Sequence, residues 1–327
     1  MTHRPCPSRR RTSRRAALLA LLLTALAATG CAGPRTARPH APTAARVVHE
    51  HRVGARLLDL SIRSPALRTT AIVRLLTPPG WTHRTRRRWP VLYLLHGCCD
   101  AYDSWTRSTR VEQMPRLRRA LVVMPEGGPV GFYSDWLGSG GRRGPAWETF
   151  HLDELRRILE RDYGAGPRRA IAGLSMGGLG AIAYAARHPG VFGAAASFSG
   201  LLHPLADPGF TTGLFAAHTP DPYAVWGDPR RDRRVWGRAR PDRARRPAAR
   251  HPTVRLVRRR APRPLDTHDT PPDTIERVVL RQSRAFVRRL RAERIPARAD
   301  VYGPGTHSWP YWERELQRAL PTLLGRR

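Results

Sequence analysis

Ala170-Ile171-Ala172-Gly173-Leu174-Ser175-Met176-Gly177-Gly178 decides the fold. The small apolar residues before Ser175 predict a buried strand, and the Ala-rich stretch after it predicts a helix from Met176 to His188. The G-x-S-x-G pentapeptide therefore falls on a strand-to-helix turn. Glycines there let the backbone reverse sharply and leave a Ser hydroxyl at the start of a helix, which is the geometry of a nucleophile elbow. The pentapeptide alone carries little weight; its strand, turn and helix together make Ser175 the candidate nucleophile.

Working outward, Val91–Leu95 and Ala120–Met124 are short continuous apolar runs, as in strands covered on both faces of a parallel sheet, and Ala170–Gly173 and Ala194–Phe198 extend the series. Arg56–Ser64 and Thr69–Leu76 alternate apolar and polar residues and predict an opening antiparallel hairpin. Helices are predicted at Trp147–Asp162, at Met176–His188 and at Asp273–Glu293. In the last of these, Ile275, Val278, Val279, Phe286 and Leu290 keep helical spacing around one polar slot, Gln282. A final strand, Ala297–Tyr302, and a helix, Trp309–Leu324, close the chain. Strands alternating with helices mean a wound α/β sheet with helices on both faces.

A Ser hydroxyl needs a base, and behind an elbow of this kind the His comes last in chain order. His307 fits, in the Gly-rich loop Gly303–Trp309 after the last strand; His268 competes but precedes a helix and a strand. A tetrahedral oxyanion needs two N–H donors. The backbone of Met176, after the nucleophile, and of Cys98, after Leu95-His96-Gly97, are the candidates. A catalytic thiol at Cys98 or Cys99 is the rival reading, without a local cue in its favour. A disulfide between neighbours needs a strained ring, so neither a structural disulfide nor a cysteine metal site is expected. No metal or other cofactor is expected.

The segments LHGCCDAYDSW (95–105), MPEGGPVGFYSDW (124–136), GLSMGG (173–178) and GPGTHSWPYW (303–312), in this order and spacing, resemble the esterase D / antigen 85 (mycolyltransferase) family of secreted α/β-hydrolases. The likeness runs from about Arg52 to Leu324. It implies an α/β-hydrolase fold, a mostly parallel central sheet opened by the antiparallel hairpin. It also implies acyl-ester chemistry through an acyl-Ser175 intermediate, resolved by water or by a sugar or glycolipid hydroxyl. By the same resemblance Trp309 lines the acceptor site and Asp135 and Trp136 stand beside the pocket, although each is equally suited to core packing.

The sequence departs from the family at three places. Where the mycolyltransferases carry an Asp and an Arg that help hold trehalose, this chain has His96 and Cys99, which favours a general esterase, or another acceptor, over a trehalose mycolyltransferase proper. The acid that orients the His has Asp266 as its nearest match, with Asp269, Asp273 and Glu276 as alternatives. The third departure is the stretch 230–263, which holds 15 Arg and two acids where the family has a buried strand and an apolar linker; Thr253–Val257 is its only candidate strand.

The chain has 327 residues and a formal net charge of +33, all 58 basic residues being Arg. Charge of this size suggests a polyanionic partner. Exclusive use of Arg is instead what a GC-rich coding sequence produces, and no nucleic-acid motif or aromatic-interleaved basic surface accompanies it, so nucleic acid is excluded. Residues 1–30 predict an export signal: six Arg without an acid up to Arg15, then a 13-residue run, Ala16–Ala28, apolar but for Thr24 and too short to span a bilayer. Ala28-Thr29-Gly30-Cys31 resembles a lipobox, making Cys31 the candidate lipidation site and a membrane anchor; Ser13-Arg14-Arg15 weakly resembles a twin-arginine signal. Residues 31–44 suit a flexible tether, and 45–327 a single catalytic domain. A non-catalytic envelope-binding lipoprotein of the same fold is the alternative reading of the whole chain.

The leader and the stretch 230–263 together carry more than half of the excess charge. The abrupt Arg/Pro/Ala composition of 230–263 is that of a segment read out of frame between two compensating shifts; the alternative is a solvated basic insertion that grips an anionic envelope. The coding DNA distinguishes them: an alternative frame encoding a Val/Leu-rich strand is expected, and its absence from both alternative frames dismisses the shift.

Overall fold

Strands β4 (Trp89–Leu95) and β5 (Leu121–Pro125) lie at the centre of the molecule because every second residue is apolar on each side. Val91, Tyr93, Leu121 and Val123 enter one hydrophobic cluster, while Leu92, Leu94, Val122 and Met124 enter the other. A strand sends alternate side chains to opposite faces, so these runs are buried twice and both faces need a cover. One face is covered by the helices Ser175–Arg187 (Leu179, Ile182) and Thr274–Ala292 (Val278, Val279, Phe286, Leu290). Met114 and Leu117, with Leu316, Leu320 and Leu323 of the helix Trp309–Leu324, cover the other.

The computed structural model describes residues 44–83, 86–238, 254–257, 274–301 and 305–325. Its nine strands form one sheet. Besides β4 and β5 these are β1 (Arg46–Arg52), β2 (Leu57–Ser64), β3 (Thr69–Leu76), β6 (Ala165–Leu174), β7 (Ala194–Phe198), β8 (Val254–Val257) and β9 (Ala297–Asp300). Their order is β1-β2-β3-β5-β4-β6-β7-β8-β9. The predicted hairpin pairs antiparallel from Leu57 opposite Leu76 to Ser64 opposite Thr69, β3 runs antiparallel to β5, and β5 through β9 are parallel. The parallel strands bring their carboxyl ends to one edge, where an open α/β sheet binds its ligands.

Three elements differ from the expectation. The edge strand β1 has no apolar alternation to announce it; six of its seven residues are exposed, and its charges suit an unpaired edge. The helix predicted over 147–162 contains a π-helical segment, Phe150–Leu155. This segment places buried His151 where Nε2–H donates to the Glu126 carbonyl at 2.8 Å and Nδ1 accepts from the Tyr184 hydroxyl at 2.9 Å. Burial lowers the His151 pKa to about 4, so the ring is neutral. Ile275, expected inside, is exposed, because the first turn of its helix directs Glu276 rather than Ile275 inward. Val254–Val257, inside the Arg-rich stretch, is the strand β8 between β7 and β9.

Candidate active site

Ser175 stands where β6 ends and its helix begins. Leu174 is still extended (φ −110°, ψ 148°), Ser175 is left-handed (φ 50°), and the helix follows at once. A non-glycine residue in this region costs about 1–3 kcal/mol and persists only where its surroundings enforce it. The first backbone N–H groups of a helix have no partner within it, so Met176 N–H is suited to an anionic oxygen beside Ser175.

The second donor depends on how the loop after β4 is held. Gly177 of the elbow helix lies so close to the end of β4 that a Cβ there would run into the backbone carbonyls of Leu95 and His96; no side chain fits, and Gly97 in turn faces Leu174 and Ser175. Gly127 N–H donates to His96 Nε2 at 2.9 Å, which leaves the His96 proton on Nδ1, and Nδ1–H donates to the Gly97 carbonyl at 2.8 Å. In a trans peptide the carbonyl and the following N–H point in opposite directions. Fixing the Gly97 carbonyl on the His96 ring therefore aims the Cys98 N–H away from that ring. Tyr133 Oη donates to the His96 carbonyl at 3.0 Å, and Cys99 N–H donates to the Pro129 carbonyl at 2.8 Å. Glu126 accepts from Gly128 N–H at 2.8 Å and Gly127 N–H at 3.1 Å. Burial raises its pKa, while the hydrogen bonds from the N–H groups of Gly128 and Tyr102 favour the charged carboxylate.

The same loop corrects the expectation about its cysteines. Cys98 and Cys99 are joined by a disulfide. The chain bends at Cys99, which takes a left-handed conformation (φ 69°) with its N–H pinned to Pro129, and this brings the two sulfurs together.

His307 lies in the loop before the helix Trp309–Leu324, past the carboxyl end of β9. Its Nδ1 lies 2.8 Å from Glu276 Oε1, with both side chains largely buried, at 12% and 16% exposure. Asp266, the nearest family match for the acid, and Asp269 and Asp273 lie outside the described residues, as does Cys31. The carboxylate on His307 is the third of the alternatives, Glu276. A chain of aromatic contacts ties this loop to the end of β4: His307 to Trp312 (4.9 Å between ring centres), Trp312 to Trp309 (5.2 Å) and Trp309 to Trp105 (5.3 Å). Trp105 Nε1–H donates to the Leu95 carbonyl at 3.1 Å, one residue before His96. Trp309 is only partly buried in this cluster.

Asp135 accepts from Thr149 N–H at 3.0 Å and Thr149 Oγ–H at 2.6 Å, and Trp136 Nε1–H donates to the Gly131 carbonyl at 3.1 Å. Both hold the 124–149 loop in shape. Between them and Glu126, sequence reasoning passed over Tyr133, inside the quoted segment 124–136. Its signal is the close approach of its ring to Gly180 of the elbow helix, which no linear pattern displays.

Residues 64–323 match the model of a family described as "Putative esterase". The chain belongs to this esterase family. Among relatives of the family, an esterase of Mycobacterium tuberculosis is 37% identical over 163 residues, 45% of this chain and 35% of that protein, so the match spans about a third of the relative's length. The diacylglycerol acyltransferase/mycolyltransferase Ag85B of Mycolicibacterium smegmatis is 32% identical over 263 residues, covering 71% of this chain and 75% of that one. Two solved structures carry the fold: MPT51 (FbpC1) of M. tuberculosis, with a TM-score of 0.64 and 23% identity over 81% of this chain and 97% of that one, and FphF, a fluorophosphonate-binding serine hydrolase of Staphylococcus aureus, with 0.62 and 19% over 82% and 97%. The fold is that of the α/β-hydrolases, as the resemblance implies.

The acid of this esterase-family site is testable by isosteric exchange. Glu276→Gln is expected to lower kcat by about 10³–10⁴-fold, the loss typical when a His base loses the carboxylate that fixes its tautomer. Asp266→Asn is expected to stay near wild type. Steady-state ester hydrolysis by the two variants reads this out, and the reverse ranking removes Glu276 from the site.

Proposed function

We propose that the chain is an exported serine esterase or acyltransferase acting on carboxylic esters through an acyl-Ser175 intermediate. The observation that carries this reading is the left-handed Ser at a strand-to-helix elbow, in a chain whose late-loop His turns its Nδ1 to a carboxylate. His307 Nε2 takes the Ser175 proton as Oγ attacks the acyl carbon, and Glu276 steadies the imidazolium. Met176 N–H and Cys98 N–H bind the oxyanion. His307 returns the proton to the leaving alkoxide, the C–O bond breaks, and the acyl ester of Ser175 remains. Water or an acceptor hydroxyl then attacks that ester, again giving its proton to His307; the acyl–Oγ bond breaks and His307 returns the proton to Ser175 Oγ.

The acceptor side supports water, or a hydroxyl compound other than trehalose. His96, whose ring is spent on Gly97 and Gly127, and Cys99, tied to Cys98, stand where the mycolyltransferases offer an Asp and an Arg. The partly buried Trp309 is suited to form an apolar wall for the acceptor. The leader 1–30, with lipid on Cys31, would deliver the domain to the cell envelope. Among the described residues no helix is long and apolar enough to cross a membrane.

A fluorophosphonate probe is expected to label the wild-type chain and to leave Ser175→Ala unlabelled; labelling that persists in the variant removes Ser175 as nucleophile. In a panel of acyl esters with and without sugar acceptors, hydrolysis is expected to outrun transfer to trehalose. Absence of turnover across the panel points instead to a non-catalytic envelope-binding protein.

A further inference from the structure

Three soft donors meet beside the oxyanion loop. Cys98 Sγ, Cys99 Sγ and a nitrogen of His218 all lie within 4.8 Å of one another, and Cys99 Sγ is 3.8 Å from His218 Nδ1. We propose that Cys98, Cys99 and His218 form a binding site for a thiophilic divalent cation once the disulfide between the cysteines is reduced.

The sulfurs are kept together by more than their bond. Cys99 N–H is held by the Pro129 carbonyl, and His96 is held by Gly127 and Tyr133, so the backbone on both sides of the pair is pinned whether or not sulfur is bonded to sulfur. His218 is anchored as well. It follows the helix Pro208–Ala216, whose fully buried Phe215 packs edge-on against Phe132 (4.9 Å) and Trp226 (5.3 Å). A tetrahedral zinc-type ion with metal–sulfur bonds near 2.3 Å and a metal–nitrogen bond near 2.0 Å needs sulfurs about 3.8 Å apart and nitrogen about 3.5 Å from sulfur. The Cys99–His218 spacing of 3.8 Å is within a small side-chain movement of that. Two thiolates and an imidazole are the donor set that prefers soft and borderline cations, with solvent as the fourth ligand.

The chemistry balances with an external phosphine or dithiol reductant. It delivers two electrons, the S–S bond breaks, and two protons from solvent give two thiols. Binding of a divalent cation then releases both thiol protons, leaving a neutral metal dithiolate. His218 Nδ1 also lies 3.1 Å from the Leu214 carbonyl. To ligate, the ring gives up that contact and carries its proton on Nε2. The disulfide state has no thiolate to offer, so cation binding reports reduction. The proposed oxyanion donor is the backbone N–H of Cys98, so an ion clamped on that residue is expected to slow ester turnover. This consequence rests on the serine-esterase reading; the site itself does not.

The test is a cadmium titration of the chain in a Cys6→Ser, Cys31→Ser background, so that only this pair reports, following the ultraviolet charge-transfer band of cadmium thiolate and ester turnover together. After phosphine reduction the band is expected to saturate at one cadmium per chain, and turnover to fall with the same midpoint. The oxidised chain should show no band, a comparison that needs no further substitution. His218→Ala should weaken binding by at least about tenfold, the smallest loss typical of disturbing a metal site's supporting groups. No band in the reduced chain, or unchanged affinity in His218→Ala, overturns the proposal. A band in a chain without turnover before cadmium is added supports the cation site and counts against the esterase reading.

Discussion

The end of β4 and the start of the elbow helix touch backbone to backbone, and the rest of the site depends on that contact. A side chain at Gly177 would collide with the backbone carbonyls of Leu95 and His96, so only glycine there lets the loop after β4 lie against the elbow. Once it is there, the His96 ring fixes one peptide plane and with it the direction of the Cys98 N–H. The ring is itself oriented by Gly127, and its backbone carbonyl is held by Tyr133. The proposed oxyanion donor is thus placed by segments distant in sequence, through buried hydrogen bonds whose loss would leave unsatisfied groups at about 1–3 kcal/mol each.

Backbone strain collects in the same place. Ser175, Cys99, Phe132 and Tyr133 are all non-glycine residues in the left-handed region, and all belong to the elbow or to the two loops that pack against it. Such conformations are offset by the burial of the central strands, which are apolar on both faces. Phe132 is a joint between these parts. Its N–H contacts Met176 Sδ at 3.4 Å, and its ring packs on Phe215, one turn ahead of His218.

The sheet and the strand-to-helix elbow at Ser175 were legible because both are local patterns. A run such as Val91–Leu95 shows its double burial residue by residue, and the elbow is contiguous from Ala170 to Gly178. β1 was not legible, since an exposed edge strand carries no hydrophobic period. The acid was narrowed but not fixed. Glu276 reaches His307 from the first turn of a helix 31 residues away in sequence, and spacing along the family motif favoured a different carboxylate, Asp266. Tyr133 and the Cys98–Cys99 bond depend on tertiary contacts that chain order does not encode. Most of the excess positive charge belongs, along the sequence, to the leader and the Arg-rich stretch and not to the motifs that carry the chemistry, which is why composition said little about it.

A strained serine, a carboxylate-backed histidine and two backbone donors make up the proposed acyl-transfer centre, and the cysteine pair in the neighbouring loop is closed as a disulfide, with no thiol to acylate. The most direct test is mass spectrometry of the chain quenched during turnover of a slowly deacylated ester. The account predicts an added mass equal to the acyl group, mapped by proteolysis to the peptide containing Ser175. An adduct mapped to Cys98 or Cys99, or turnover with no adduct on Ser175 under conditions where deacylation limits the rate, would contradict it.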